Sequence, residues 1–131
     1  MSDPGAIPNL WPELPVEGDV PSPKAIMRRQ ALVITEKTNN RVAGQVSTRL
    51  LGREFVHTLE LRCPDLGDFG YFLAQTRHPI DQPYPVRVTE SEKKDGMKEC
   101  ADVKEFCYWI RDVLHAENTK QLVSALLSQA E

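Results

Sequence analysis

Read for apolar and polar positions, the chain has an irregular beginning, an alternating middle and a helical end. Residues 25–38 are rich in Ile, Leu and Val and stop at Asn39-Asn40, residues that tolerate the positive φ of a tight hairpin. That pattern predicts a strand over 25–38 and an antiparallel return over 42–51. Residues 53–63 alternate, with Phe55, His57, Leu59 and Leu61 on one face and Glu54, Thr58, Glu60 and Arg62 on the other. Period-two alternation marks a strand with one buried and one wet face. Gly52 is read as the turn before this third strand.

Residues 66–76 are ambiguous. Leu66, Phe69, Phe72 and Leu73 have helical spacing, while Gly67 and Gly70 oppose a stable helix, so a short helix and a strand over 70–76 both fit. Pro79, Pro83 and Pro85 mark a rigid loop in which Tyr84-Pro85 is a plausible cis site. A short strand over 86–92 and a turn over 93–96 follow.

The last third is helical. Asp102 and Glu105 have the spacing of a capping box, and Val103, Phe106, Cys107, Ile110, Val113 and Leu114 make one apolar stripe. A second stripe, Leu122, Val123, Leu126, Leu127 and Ala130, lies about half a turn away on a continuous helix. A break near 116–119, with Asn118 as cap, reconciles the two. The alternative is one long helix whose last turns pack on another molecule. The fold expected is α+β: an antiparallel sheet of about four to five strands, meander first, with two C-terminal helices packed on one face.

Residues 1–23 hold six of the ten prolines and read as an extended arm ahead of a single domain over 24–131. The arm is not purely polar. It carries Leu10, Trp11, Leu14 and Val16, and Trp11 is expected to find a pocket on its own domain or on a partner.

Composition narrows the classes. With 131 residues, 40% hydrophobic and 27% charged, the chain suits one globular domain. Its longest apolar run, residues 31–34, is far below the ~18–20 residues needed to span a bilayer, and the first residues lack the pattern of a secretory signal. Three cysteines without a CxxC argue for free thiols. Cytoplasmic residence, no membrane and no cofactor are therefore expected.

Charge is segregated. Residues 1–23 carry four acids and no base, residues 24–62 eight Lys or Arg against three Glu, and residues 63–131 eight against twelve acids. The basic middle, with Arg28, Arg29, Arg49, Arg53 and Arg62, is a candidate polyanion surface or pairs with acids of its own chain, and self-pairing is preferred.

Candidate chemistry is sparse. His57, His78 and His115 have no metal-ligand spacing, and Cys63 and Cys107 read as small buried hydrophobes. No phosphate-binding glycine motif occurs. Trp11, Tyr108, Trp109, Arg111, Leu122 and Leu126 are of the types, or on the stripe, that interfaces use. The preferred function is a non-catalytic protein-interaction module or small adaptor subunit. Its partner is another protein or a second copy, with dimerisation through the C-terminal helices as one form. Nucleic-acid binding on the basic sheet face is the alternative. A small enzyme with a dispersed site is third, and a deep pocket lined by His57, His78, Arg77 and Asp65 would promote it.

Overall fold

Ser22 and Pro23 start a helix where the apolar run predicted a strand. In the computed structural model, which describes residues 6–13, 20–67, 70–90 and 97–129, helix α1 spans Pro23–Lys37. Ser22 Oγ accepts from the Ala25 amide at 3.1 Å, and Pro23 stands at the first helical position, where its missing N–H costs nothing. Pro23, Met27 and Ala31, four residues apart, form the buried stripe. A short run of β-branched residues does not distinguish strand from buried helix, and the cap decides it. Asn39 and Asn40 do take positive φ, 52° and 68°, but they end this helix rather than turn a hairpin. Thr38 closes the corner: its buried hydroxyl accepts from the Val42 amide at 3.0 Å and lies 2.9 Å from the Ile34 carbonyl.

Five antiparallel strands follow in an uninterrupted meander: β1 (Ala43–Leu51), β2 (Glu54–Arg62), β3 (Gly70–Pro79), β4 (Val86–Glu90) and β5 (Lys98–Cys100). The ambiguous stretch after Cys63 is therefore a single 3-10 turn over Pro64–Leu66 and then a strand. Tyr84-Pro85 is cis. The turn expected at 93–96 and the arm residues Leu14 and Val16 lie outside the described residues.

Register sorts the side chains. Gly44, Val46 and Thr48 pair with Leu61, Leu59 and His57, and His57 pairs onward with Thr76, so these share the inner face. Gly44 faces α1 so closely that a Cβ there would stand 2.5 Å from the Ala31 Cα. Helix α2 (Val103–His115) and helix α3 (Glu117–Gln129) lie on the same side, their Phe106, Trp109, Ile110, Val113 and Leu126 joining Met27, Leu59, Leu61 and Val88 in one core. The fold class expected from sequence is the one found, with α1 added.

The capping box forms: Asp102 Oδ1 accepts from the Glu105 amide at 3.0 Å, and Glu105 Oε2 reaches back to the Ala101 amide at 2.6 Å. The C-terminal region is two helices, broken at Ala116, whose ψ of 146° is extended. The Thr119 hydroxyl, donating to the Val113 carbonyl at 2.7 Å, fastens the break. Among the described residues no helix is long and apolar enough to cross a membrane.

Candidate functional site

Helix α1 packs mainly on β1, while α2 packs toward β3 and β5, and the two leave a groove between them. Its floor is aliphatic, made by Leu59, Leu61 and Leu73 of the sheet. Ala31, Val33 and Ile34 form one wall, Leu114 and Val123 the other, around about 250 Å³. The groove continues past Gln30 and Leu114 toward Ile26, Cys107 and Ile110, where a further 170 Å³ or so opens. A cavity of about 150 Å³ already accepts benzene, so an indole or leucine side chain fits this space. Its ionisable rim is basic or neutral: Lys37, Arg111 and His115 line it, and no carboxylate does. Ile34, Leu114 and Val123 stay half-buried, with no described residue covering them from above.

At the far end of the sheet, β2 and β3 bring His57 and His78 together under α1. They are 3% and 5% exposed, and their Nε2 atoms lie 2.9 Å apart. The Pro79 carbonyl, 2.7 Å from His78 Nδ1, can only accept, so that nitrogen carries the proton. His78 Nε2 must then accept from His57 Nε2–H, and His57 Nδ1 accepts the Thr48 hydroxyl at 2.8 Å. The chain of bonds is complete with both rings neutral. Burial, the neighbouring His78 and then Lys24 of α1 push the His57 pKa down to about 4. Phe55 closes the end, its ring centroid 5.9 Å from that of His57. Thr76, beside His57 in register and fully buried, has a hydroxyl with no hydrogen-bond partner among the described residues. The pocket lined by His57, His78, Arg77 and Asp65 does not form: Arg77 points to the opposite face and Asp65 sits in the 3-10 turn beyond the other end of β2. Among the described residues no group of three or more metal-ligating side chains occurs.

Among the described residues no helix lies on the outer face of the sheet. There Glu54 accepts from Arg77 at 2.9 Å and from Arg87, and Arg62 pairs with Glu60 at 3.1 Å. Those pairs hold the Glu54 carboxyl below the usual range, the Arg87 bond foremost. The arginines read as one basic sheet face are divided. Arg49 and Arg62 lie on that face, Arg53 in the β1–β2 turn, and Arg28 and Arg29 on the exposed side of α1.

The interaction candidates also separate. Trp109 and Leu126, 7% and 4% exposed, are core, and Leu122 packs against it. Tyr108 is 54% and Trp11 73% exposed, and Arg111 stands on the groove rim. Cys107, expected in the core, is exposed: the stripe of α2 turns Phe106 and Ile110 inward and leaves Cys107 at the groove mouth. Cys63 and Cys100 are the buried thiols, with Cys63 3.9 Å from the Leu126 carbonyl. A strand over 25–38 predicts no such groove, which exists only because these residues are helix α1. The Ser22-Pro23 start and the spacing of Met27, Ala31 and Ile34 were the signal for it. No family model, curated protein or solved structure matches the chain.

Proposed function

We propose that the protein is a non-catalytic interaction module whose α1–α2 groove receives an apolar, carboxylate-bearing segment of a protein. The observation that carries this reading is the pairing of an aliphatic floor with a rim of Lys37, Arg111 and His115 and no acid. An elongated trough between two helices suits a peptide or helix laid along it, with apolar side chains as anchors and charge setting the register. Catalysis has less support, because the clustered histidines are sealed and bonded to one another. Nucleic acid has less support because Arg28, Arg29, Arg49, Arg53 and Arg62 are divided among α1, a turn and the outer sheet face, and Arg62 already holds Glu60.

The test is selection of twelve-residue peptides from a random display library against the full chain. Selected sequences are expected to combine bulky apolar residues with Asp or Glu. Their binding should fall at least tenfold in the doubly reversed variant Lys37→Glu/Arg111→Glu, whose substitutions leave the core untouched. Peptides without that composition, or indifferent to the reversal, would refute the groove as the binding surface.

A further inference from the structure

We infer that the segment filling the α1–α2 groove is the N-terminal arm of a second copy of this chain, so that two molecules exchange arms. The inference rests on the reading of the groove as a protein-binding site and names its occupant.

Among the described residues the arm holds the most exposed large hydrophobic side chains. Ile7, Leu10 and Trp11 are 89%, 83% and 73% exposed, more than any other large hydrophobic residue among those described except one another. A single chain therefore leaves Ile7, Leu10 and Trp11 in water while an aliphatic groove stands open. The arm is also shaped in advance. Pro8 and Pro12 bracket Asn9-Leu10-Trp11, and the Asn9 side chain accepts from the Trp11 amide at 3.0 Å. Such a segment loses little conformational entropy on docking. Prolines remove backbone donors, which suits a trough built of side chains rather than a sheet edge.

Charge matches as well. Residues 1–22 carry Asp3, Glu13, Glu17 and Asp19 and no basic side chain, against a groove rim of Lys37, Arg111 and His115. The arm leaves the domain at Pro21, whose carbonyl accepts from the Tyr84 hydroxyl at 2.8 Å. Nine residues lie between that anchor and Trp11, and ten steps of ~3.1 Å would allow a reach of roughly 30 Å. Helix α1 is about 22 Å long by its rise of ~1.5 Å per residue, so a linker of that length is long enough to carry Leu10 and Trp11 to the groove of a neighbouring molecule. Reciprocal exchange uses two equal arms and two equal grooves and closes on itself with two-fold symmetry.

The experiment is complementation between two full-length variants in sedimentation velocity. One carries Leu10→Ala/Trp11→Ala, with a sound groove and an empty arm. The other carries Lys37→Glu/Arg111→Glu, with a sound arm and a reversed groove. The unaltered chain is expected to be a dimer, and each variant alone to dissociate at least tenfold more readily. An equimolar mixture should recover a heterodimer held by one arm in one groove. Acrylamide quenching supplies a second readout, because Trp109 is buried throughout and the accessible tryptophan is Trp11. Three results overturn the inference: a monomer with quenchable Trp11, a monomer with protected Trp11 (the arm seated on its own groove), or a dimer unaffected by Leu10→Ala/Trp11→Ala. In each of these the peptide selection stands apart. Peptides still sensitive to Lys37→Glu/Arg111→Glu leave the groove a binding site with a different occupant.

Discussion

Acid should loosen this fold in a range where most carboxylates have not yet titrated, and His57 is the cause. An imidazole of ordinary pKa 6.5 is held at about 4 by burial, by His78 and by Lys24. The unfolded chain binds the proton as pH falls through 6.5, whereas the folded one refuses it until about 4. Stability from this group is therefore complete above 6.5, falls through the interval, and is gone below the folded value. Between about pH 7.5 and about pH 4.5 the loss is about 2.5 kcal/mol, from ~1.4 kcal/mol per tenfold change in proton affinity. That is a large share of the ~5–15 kcal/mol that holds a domain together. The hydrogen bonds explain why the pair resists. His57 Nε2–H already faces His78 Nε2 across 2.9 Å and His57 Nδ1 already accepts the Thr48 hydroxyl, so a further proton on this ring must break that second bond in a place water does not reach. Urea unfolding at several pH values, for the native chain and for His57→Gln, isolates the effect, since Glu54 and the other acids contribute equally to both. The native chain should lose about 2.5 kcal/mol more than the variant over that range. Equal losses, or a His57 ring proton signal with a midpoint near 6.5, would refute the account.

Three further outcomes follow from single sites. Thr76→Val removes a buried hydroxyl without a partner and should raise stability by about 1 kcal/mol in urea unfolding, so a loss would reveal a bond to that oxygen. Gly44→Ala should cost about 1–3 kcal/mol, because its methyl meets the Ala31 backbone at 2.5 Å and neither β1 nor α1 can yield cheaply; an unchanged midpoint would refute the close packing. In the Leu10→Ala/Trp11→Ala chain, whose groove stands open, Cys107 should react with a disulfide reagent within the mixing time and Cys63 and Cys100 only on unfolding, since both are fully buried and burial raises the Cys100 pKa; a slow Cys107 there would place α2 in the wrong rotation.

Legibility followed the range of the interactions. The β2 alternation, the Asp102–Glu105 cap and the break between α2 and α3 are local, and each stands in the sequence as in the structure. Residues 25–38 misled because Ile, Leu and Val in a short run satisfy both periodicities, and the deciding contact, Ala31 against Gly44, joins elements that sequence alone does not pair. The rotation of α2 misled in a subtler way. Cys107 lies one position from buried Phe106, and only the docking of α2 onto β3 and β5 settles which edge of the stripe stays dry. Of the groove, the rim residue Arg111 and the exposed Trp11 were visible as types, but a concavity needs three elements placed at once. The His57–His78 contact, twenty-one residues apart in sequence, depends on the β2–β3 register, which a β-bulge between Leu59 and Glu60 shifts.

The meander also carries a kinetic consequence. Every strand pairs only with its immediate predecessor and successor, and α1 docks on the strand that directly follows it. No crossover must wait for a distant segment, so the entropy lost in closing each loop is small and is recovered at once by the hairpin it closes. Assembly can begin at any of the four hairpins and spread as neighbours zip onto an existing edge. The β1–β2 pair, nine paired positions closed by the two residues Gly52 and Arg53, offers the largest return for the shortest closure and is the natural nucleus.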